Sequence, residues 1–115
     1  MTKMLFGTLA LMPLLANAAT PSFDCTKAHS AAEQLVCQDA GLAALDNELA
    51  ALYPKALSQL SAEQQKTEKA MQRGWIKGRN ECWKESNSRQ CVEESYQTRI
   101  TELQIKGGQL MVPSP

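Results

Sequence analysis

Apolar positions along the chain fall into two regimes. Near the N-terminus, Met4 to Leu15 forms an almost unbroken run of twelve residues after the single Lys3. From Ala31 onward, apolar side chains instead recur at spacings of three and four, the mark of helices that bury one face. The early run is too short to cross about 30 Å of hydrocarbon, and Ala16-Asn17-Ala18 follows it with small residues flanking one other. That three-part layout predicts a secretory signal peptide over residues 1–18, cleaved after Ala18.

The periodic region divides into four helical segments. Ser30 with Glu33 forms a capping box ahead of a short helix over residues 31–37, which carries Leu35, Val36 and Cys37. After a bend at Gln38-Asp39, Asp39 caps a second helix, in which Leu42, Leu45, Leu49, Leu52, Ala56 and Leu60 draw one stripe. Pro54 interrupts that stripe. An interior proline removes a backbone bond and clashes with the carbonyl four residues back, so a kink or break is expected near Ala51 to Tyr53.

Ser61 with Gln64 offers a second capping box. The helix it opens is predicted to run to Cys82 or Trp83, with Met71, Trp75, Ile76 and Cys82 on or near its inner side. Ser86-Asn87-Ser88 reads as a turn. A last helix covers about Gln90 to Lys106, with Val92, Tyr96, Ile100 and Leu103 facing inward and Gly107-Gly108 ending it. No segment alternates like a strand. The expected fold is a small all-α bundle of about four helices over residues 19–106, with a loose tail over 107–115.

Charge and cysteines narrow the function. Twelve basic residues balance twelve acidic ones, and loss of Lys3 leaves eleven against twelve, a net charge of minus one. A nucleic-acid binder needs a basic excess, so DNA and RNA are not expected partners. Export would place Cys25, Cys37, Cys82 and Cys91 in an oxidising compartment, where four cysteines in so short a chain read as a disulfide framework. Three pairings are possible. Spacing favours the local one, Cys25 with Cys37 and Cys82 with Cys91, which closes the two smallest loops. No cysteine pair has zinc-ligand spacing, and His29 is the single histidine, so neither a metal nor any other cofactor is expected.

At this point the motifs resemble a known family. Ser22-Phe23-Asp24-Cys25, Glu33-x-x-Val36-Cys37 and Leu42-x-x-Leu45-Asp46-x-x-Leu49-x-x-x-Tyr53 are followed by Gln72-Arg73-x-Trp75-Ile76-x-x-Arg79, then Cys82 and Cys91, then Tyr96-x-x-Arg99-Ile100-x-x-Leu103. This order resembles the lysozyme-inhibitor LprI-like domain, over roughly residues 22–104. The resemblance implies an exported, all-helical, two-disulfide bacterial domain whose named activity is inhibition of lysozyme. Two departures matter. Asn80 stands where the family pattern has Asp, which removes any ion pair that the aspartate makes, and Pro54 follows the family's tyrosine. No cysteine lies at the expected cleavage point, so a lipid anchor does not carry over.

An enzyme would need a nucleophile with its base. One histidine without a partner argues against a triad, and Glu93 and Glu94, adjacent on a helix, point about 100° apart. The expected function is therefore binding. Asp46, Tyr53, Arg73, Arg79, Tyr96 and Arg99 match the family pattern and are expected to be structural, the arginines bridging helices. Gly74 and Gly78 on one helix suggest close approach of a neighbouring helix, or a notch beside Trp75. The polar loop Glu85 to Gln90, bracketed by Cys82 and Cys91, offers Ser86, Ser88 and Arg89 as donors toward a carboxylate-lined glycosidase cleft. The reading is a periplasmic or secreted protein that occupies a lysozyme or another peptidoglycan hydrolase. An interaction or immunity module for a different envelope protein is the alternative.

Overall fold

The computed structural model describes residues 20–107, and the expectations on the leader, its cleavage and the tail beyond Gly107 lie outside them. A 3-10 turn, Cys25–Lys27, leads to helices α1 (Ala31–Gln38), α2 (Ala40–Ser58) and α3 (Ala62–Arg79). A second 3-10 turn, Cys82–Lys84, precedes α4 (Ser88–Lys106), and no strand occurs among the described residues. The fold is the all-α, two-disulfide bundle that the periodicity predicts.

Each helix starts where a short polar side chain can satisfy backbone N–H groups that have no partner in the first turn. Both capping boxes close. The Glu33 N–H donates to Ser30 Oγ at 3.0 Å while the Ser30 N–H donates to Glu33 Oε1 at 3.1 Å. At α3 the corresponding bonds join Gln64 and Ser61 at 3.2 and 2.9 Å. Asp39 receives the Leu42 N–H at 3.0 Å, so one residue ends α1 and caps α2. Asn87 receives the Gln90 N–H, which starts α4 at Ser88, two residues before the predicted Gln90.

Helix α2 runs through Pro54 without a break, which leaves the kink as the one of the two expected outcomes still open to it. The carbonyl that loses its donor belongs to Ala50, and both Ala50 and Pro54 are exposed, so water can take that bond. Leu49, Leu52 and Ala56 on the opposite face are buried and hold the flanking turns together.

The third helix departs further. It stops at Arg79, and Cys82 and Trp83 belong to a separate 3-10 turn. Met71 and Ile76 are exposed rather than inward-facing, and the buried positions of α3 are Glu68 and Arg79. Gly74 and Gly78 have no atom within 4 Å of where a Cβ would stand, so no neighbouring helix packs closely there. The close approach occurs instead at Gly107, where a Cβ would sit 3.2 Å from the Leu103 carbonyl oxygen and 3.6 Å from Ala56 Cα.

Contacts between helices fix the topology. Asp39 meets Arg89 and Asp46 meets Tyr96, each pair 50 residues apart, so α2 and α4 run parallel. Helix α3 is the return stroke, antiparallel to α4, with Trp75 against Ser95 at one end and Glu68 against Lys106 at the other. Between them lies the core of Val36, Leu42, Leu49, Leu52, Val92, Tyr96, Ile100 and Leu103. Burying each such side chain contributes roughly 1.5–3 kcal/mol. The disulfides join Cys25 to Cys37 and Cys82 to Cys91, the local pairing that the spacing favours.

Candidate functional site

Three residues of the family pattern, Asp46, Arg79 and Tyr96, meet in one polar seam. Asp46, on the buried face of α2, accepts hydrogen bonds from the Tyr96 hydroxyl at 2.7 Å, from the Ser22 backbone N–H at 2.7 Å and from the Ser22 hydroxyl. Arg79, buried at the end of α3, donates from Nη1 to the Tyr96 oxygen at 2.9 Å. Tyr96 therefore joins a carboxylate to a guanidinium. Burial pushes its phenol up from 10.0, Arg79 opposes that, and the bond to Asp46 adds to it. The Arg79 plane also lies 5.3 Å from the centre of the Trp75 ring, and Trp75 meets Tyr96 edge-on at 4.9 Å.

Asn80 stands where the family pattern has Asp. Its amide oxygen accepts from Arg79 Nε and Nη2 at 3.0 and 2.8 Å and lies 3.2 Å from the Ser30 hydroxyl. A neutral acceptor thus ties the end of α3 to the cap of α1.

A second network holds the far half of α3. Arg99 is 1% exposed and pairs with Glu68 at 2.7 Å and Glu102 at 3.1 Å, while its Nε donates to Gln72 at 2.8 Å. Burial pushes Glu68 up, but Lys106 and Arg99 outweigh it and hold the carboxyl below 4.5. Asp46, Arg79, Tyr96 and Arg99 are consequently engaged with partners inside the fold. Arg73 is not: it is exposed and forms no hydrogen bond or ion pair among the described residues.

Above the first seam, α2 and α3 stand apart and leave a groove of about 360 Å³ whose walls include Phe23, Tyr53, Trp75, Ile76 and Glu33. Tyr53 is half-buried on that wall, and desolvation raises its phenol above 10.0. Trp75 is half-buried between this groove and a cleft of about 480 Å³ on the α4 side, where Glu85, Glu94 and Glu102 stand. Its indole N–H donates to the Ser95 carbonyl at 2.9 Å, so the ring is fixed.

The cystine-closed end is the more open surface. Ser86 and Asn87 are exposed beside a polar notch of about 240 Å³, and the Ser88 hydroxyl lies 3.4 Å from the Glu85 carbonyl. Arg89 is not a free donor. It stands in the first turn of α4, donates from Nε to Asp39 at 2.7 Å and pairs with Glu93 at 3.1 Å. The same contact, with the Leu42 N–H, holds the Asp39 carboxyl at about 2.

Sequence reasoning missed Trp83, which it named only as a possible last residue of the third helix. It is 61% exposed, more than any other large apolar side chain described. The signal was its place immediately inside a cysteine bracket, where a short loop leaves little room to fold back. Chemically, this end presents hydroxyl and amide groups, the carboxylates of Glu85 and Glu94, the Lys84–Glu81 ion pair and one aromatic face. Among the described residues no group of three metal-ligating side chains could hold an ion.

A family model described as lysozyme inhibitor LprI matches residues 25–103. Lipoprotein LprI of Mycobacterium bovis and Lipoprotein LprI of Mycobacterium tuberculosis are each 37% identical to the chain over 94 residues, which is 78% of this chain and 46% of the relative. The chain thus spans about half the length of the curated relatives it matches. No solved structure matches it.

Proposed function

Because the chain belongs to the LprI family of lysozyme inhibitors, we propose that it is an exported protein that binds a lysozyme-type muramidase and blocks its substrate cleft without turnover. The carrying observation is the cystine-closed end, where Ser86 and Asn87 sit on a short loop and Ser88 opens α4, all between the joined Cys82 and Cys91. A loop already held in shape loses little conformational entropy on entering a cleft. Muramidase clefts carry two carboxylates, which hydroxyl and amide donors can meet without offering a cleavable sugar. Arg89 positions this loop through Asp39 rather than reaching out of it, and Trp75 supports it from behind through Ser95.

The four cysteines, all paired, suit an oxidising periplasmic or extracellular setting. No helix among the described residues is long and apolar enough to cross a membrane. Purified protein is expected to slow lysozyme lysis of cell-wall suspensions at near-stoichiometric ratios. No effect at a large molar excess overturns the proposal.

The balanced charge favours one second reading. Steering toward a strongly basic lysozyme works best from an acidic surface, and a chain with twelve basic and twelve acidic residues supplies little of that field. A less basic envelope protein, such as another peptidoglycan hydrolase or a delivered toxin, would not need it. Failure with lysozyme together with tight binding of such a protein selects this reading.

A further inference from the structure

We propose that the outer face of α3 is a docking surface for an anionic phospholipid bilayer, on which the protein rests with this helix parallel to the membrane plane. The inference stands apart from the muramidase reading and needs nothing from it.

Eleven basic residues lie among the described ones, and ion pairs engage Arg79, Lys84, Arg89, Arg99 and Lys106. Of the six others, four stand in one row on α3. Lys66, Lys69, Arg73 and Lys77 are all exposed and form no ion pair among the described residues. Spacings of three, four and four keep them within an arc of about 80° and a length of about 17 Å on a helix. A flat surface can therefore touch all four at once.

Carboxylates do not cancel this row. Only Glu63, in the first turn beside Lys66, shares its side of α3. Glu68 faces the other way, buried and paired with Arg99 and Lys106, while Glu81 near Lys77 is paired with Lys84 at 2.9 Å. Glu33 caps α1 and lies 4.0 Å from Arg79. On α2, Asp46 is bound to Tyr96 and Ser22, and Glu48 lies about 200° around the helix from it. Helix α4 packs on the inner face of α3 through Trp75 and Glu68, and Glu85 lines the cleft on that side. The carboxylates of Glu85, Glu93, Glu94 and Glu102 thus stand behind about 10 Å of helix, beyond a Debye length of about 8 Å at physiological salt. The chain is neutral because its charges are segregated, not because they are mixed.

What fills the space between the cations selects the partner. Ala62, Ala70 and Gly74 occupy it, and a Cβ at Gly74 or Gly78 would meet nothing within 4 Å. Glycine inside a helix is unfavourable relative to alanine, and no neighbouring helix accounts for these two. A specific protein interface is built around buried aromatic or aliphatic anchors, and the row holds none. Lipid headgroups ask only for cations near the surface, each of which adds to the attraction. Small residues beside those cations let the helix backbone settle close to the headgroup plane. The apolar side of α3, with Trp75, faces the fold and is not available for insertion, so the contact is superficial and sensitive to salt.

The test is co-sedimentation of the full chain with vesicles of phosphatidylcholine alone and of phosphatidylcholine mixed with phosphatidylglycerol. Two double variants accompany it: Lys69→Gln with Arg73→Gln in the row, and Lys27→Gln with Lys55→Gln, which removes the same charge from exposed, unpaired positions elsewhere. All are expected to match the wild type in circular dichroism and Tm. The wild type is expected to bind the anionic vesicles, to leave them at high salt and to ignore the neutral ones. The row variant is expected to partition about 25-fold more weakly, roughly fivefold per cation, and the control variant to stay within a few-fold of the wild type. Equal loss in the two variants would reduce the effect to net charge and overturn the proposal. So would binding to both vesicle types alike, or to neither at low salt. Capture by soluble polyglutamate without binding to vesicles would make the row a site for an acidic protein instead.

Discussion

Tyr96 shows what the family-pattern residues do. Its hydroxyl donates to Asp46 and accepts from Arg79 inside the fold, so Tyr96→Phe strips one partner from each of two buried charged groups. That change is expected to cost about 1–3 kcal/mol in urea denaturation. Tyr53→Phe, with no side-chain hydrogen bond to lose among the described residues, is the near-neutral control. The sequence marks Asp46, Tyr53, Arg79, Tyr96 and Arg99 through their spacing, yet spacing alone does not say which of them touch. The pairing of Arg99 with Glu68 was hidden because an α3 rich in charged residues reads as a solvated face, when its Glu68 is 3% exposed. Arg73 has the same pattern status and no partner among the described residues, which only the fold distinguishes.

Helix boundaries were legible because their causes are local. Ser30, Asp39 and Ser61 cap the helices they were expected to cap, since a capping side chain and its backbone partner lie within three residues of each other. The end of α3 was not, because Arg79 turns inward to Tyr96 and Asn80 toward Ser30, both long-range contacts. The Asp39 cap also joins the starts of α2 and α4 through Arg89. Its carboxyl is held at about 2 against 3.8, so this tie is fully present above pH 3.8 and is lost as pH falls through about 2. Across that window at low salt, the wild type is expected to lose more Tm than Asp39→Asn, whose side chain cannot titrate. Equal losses would place the acid sensitivity elsewhere.

At the scale of the molecule, the two disulfides have different duties. Each closes a short loop and is expected to contribute about 2–3 kcal/mol by restricting the unfolded chain. Cys25–Cys37 fastens the segment whose Ser22 reaches Asp46, whereas Cys82–Cys91 shapes the loop that presents Trp83, Ser86 and Asn87. The double variant Cys82→Ser with Cys91→Ser is therefore expected to lose inhibition, while Cys25→Ser with Cys37→Ser loses stability but still inhibits below its lowered Tm. Equal inhibition by both would detach function from the closed loop. By itself the sequence determined the all-α class, the caps, the core stripes of α2 and α4 and the local cysteine pairing, because periodicity and short spacing act within a few residues. Tertiary structure alone decided the continuity of α2 past Pro54, the charged inner face of α3, the internal engagement of Arg89 and the exposure of Trp83. Each of those depends on what stands opposite a side chain, and opposite partners here lie up to 50 residues away.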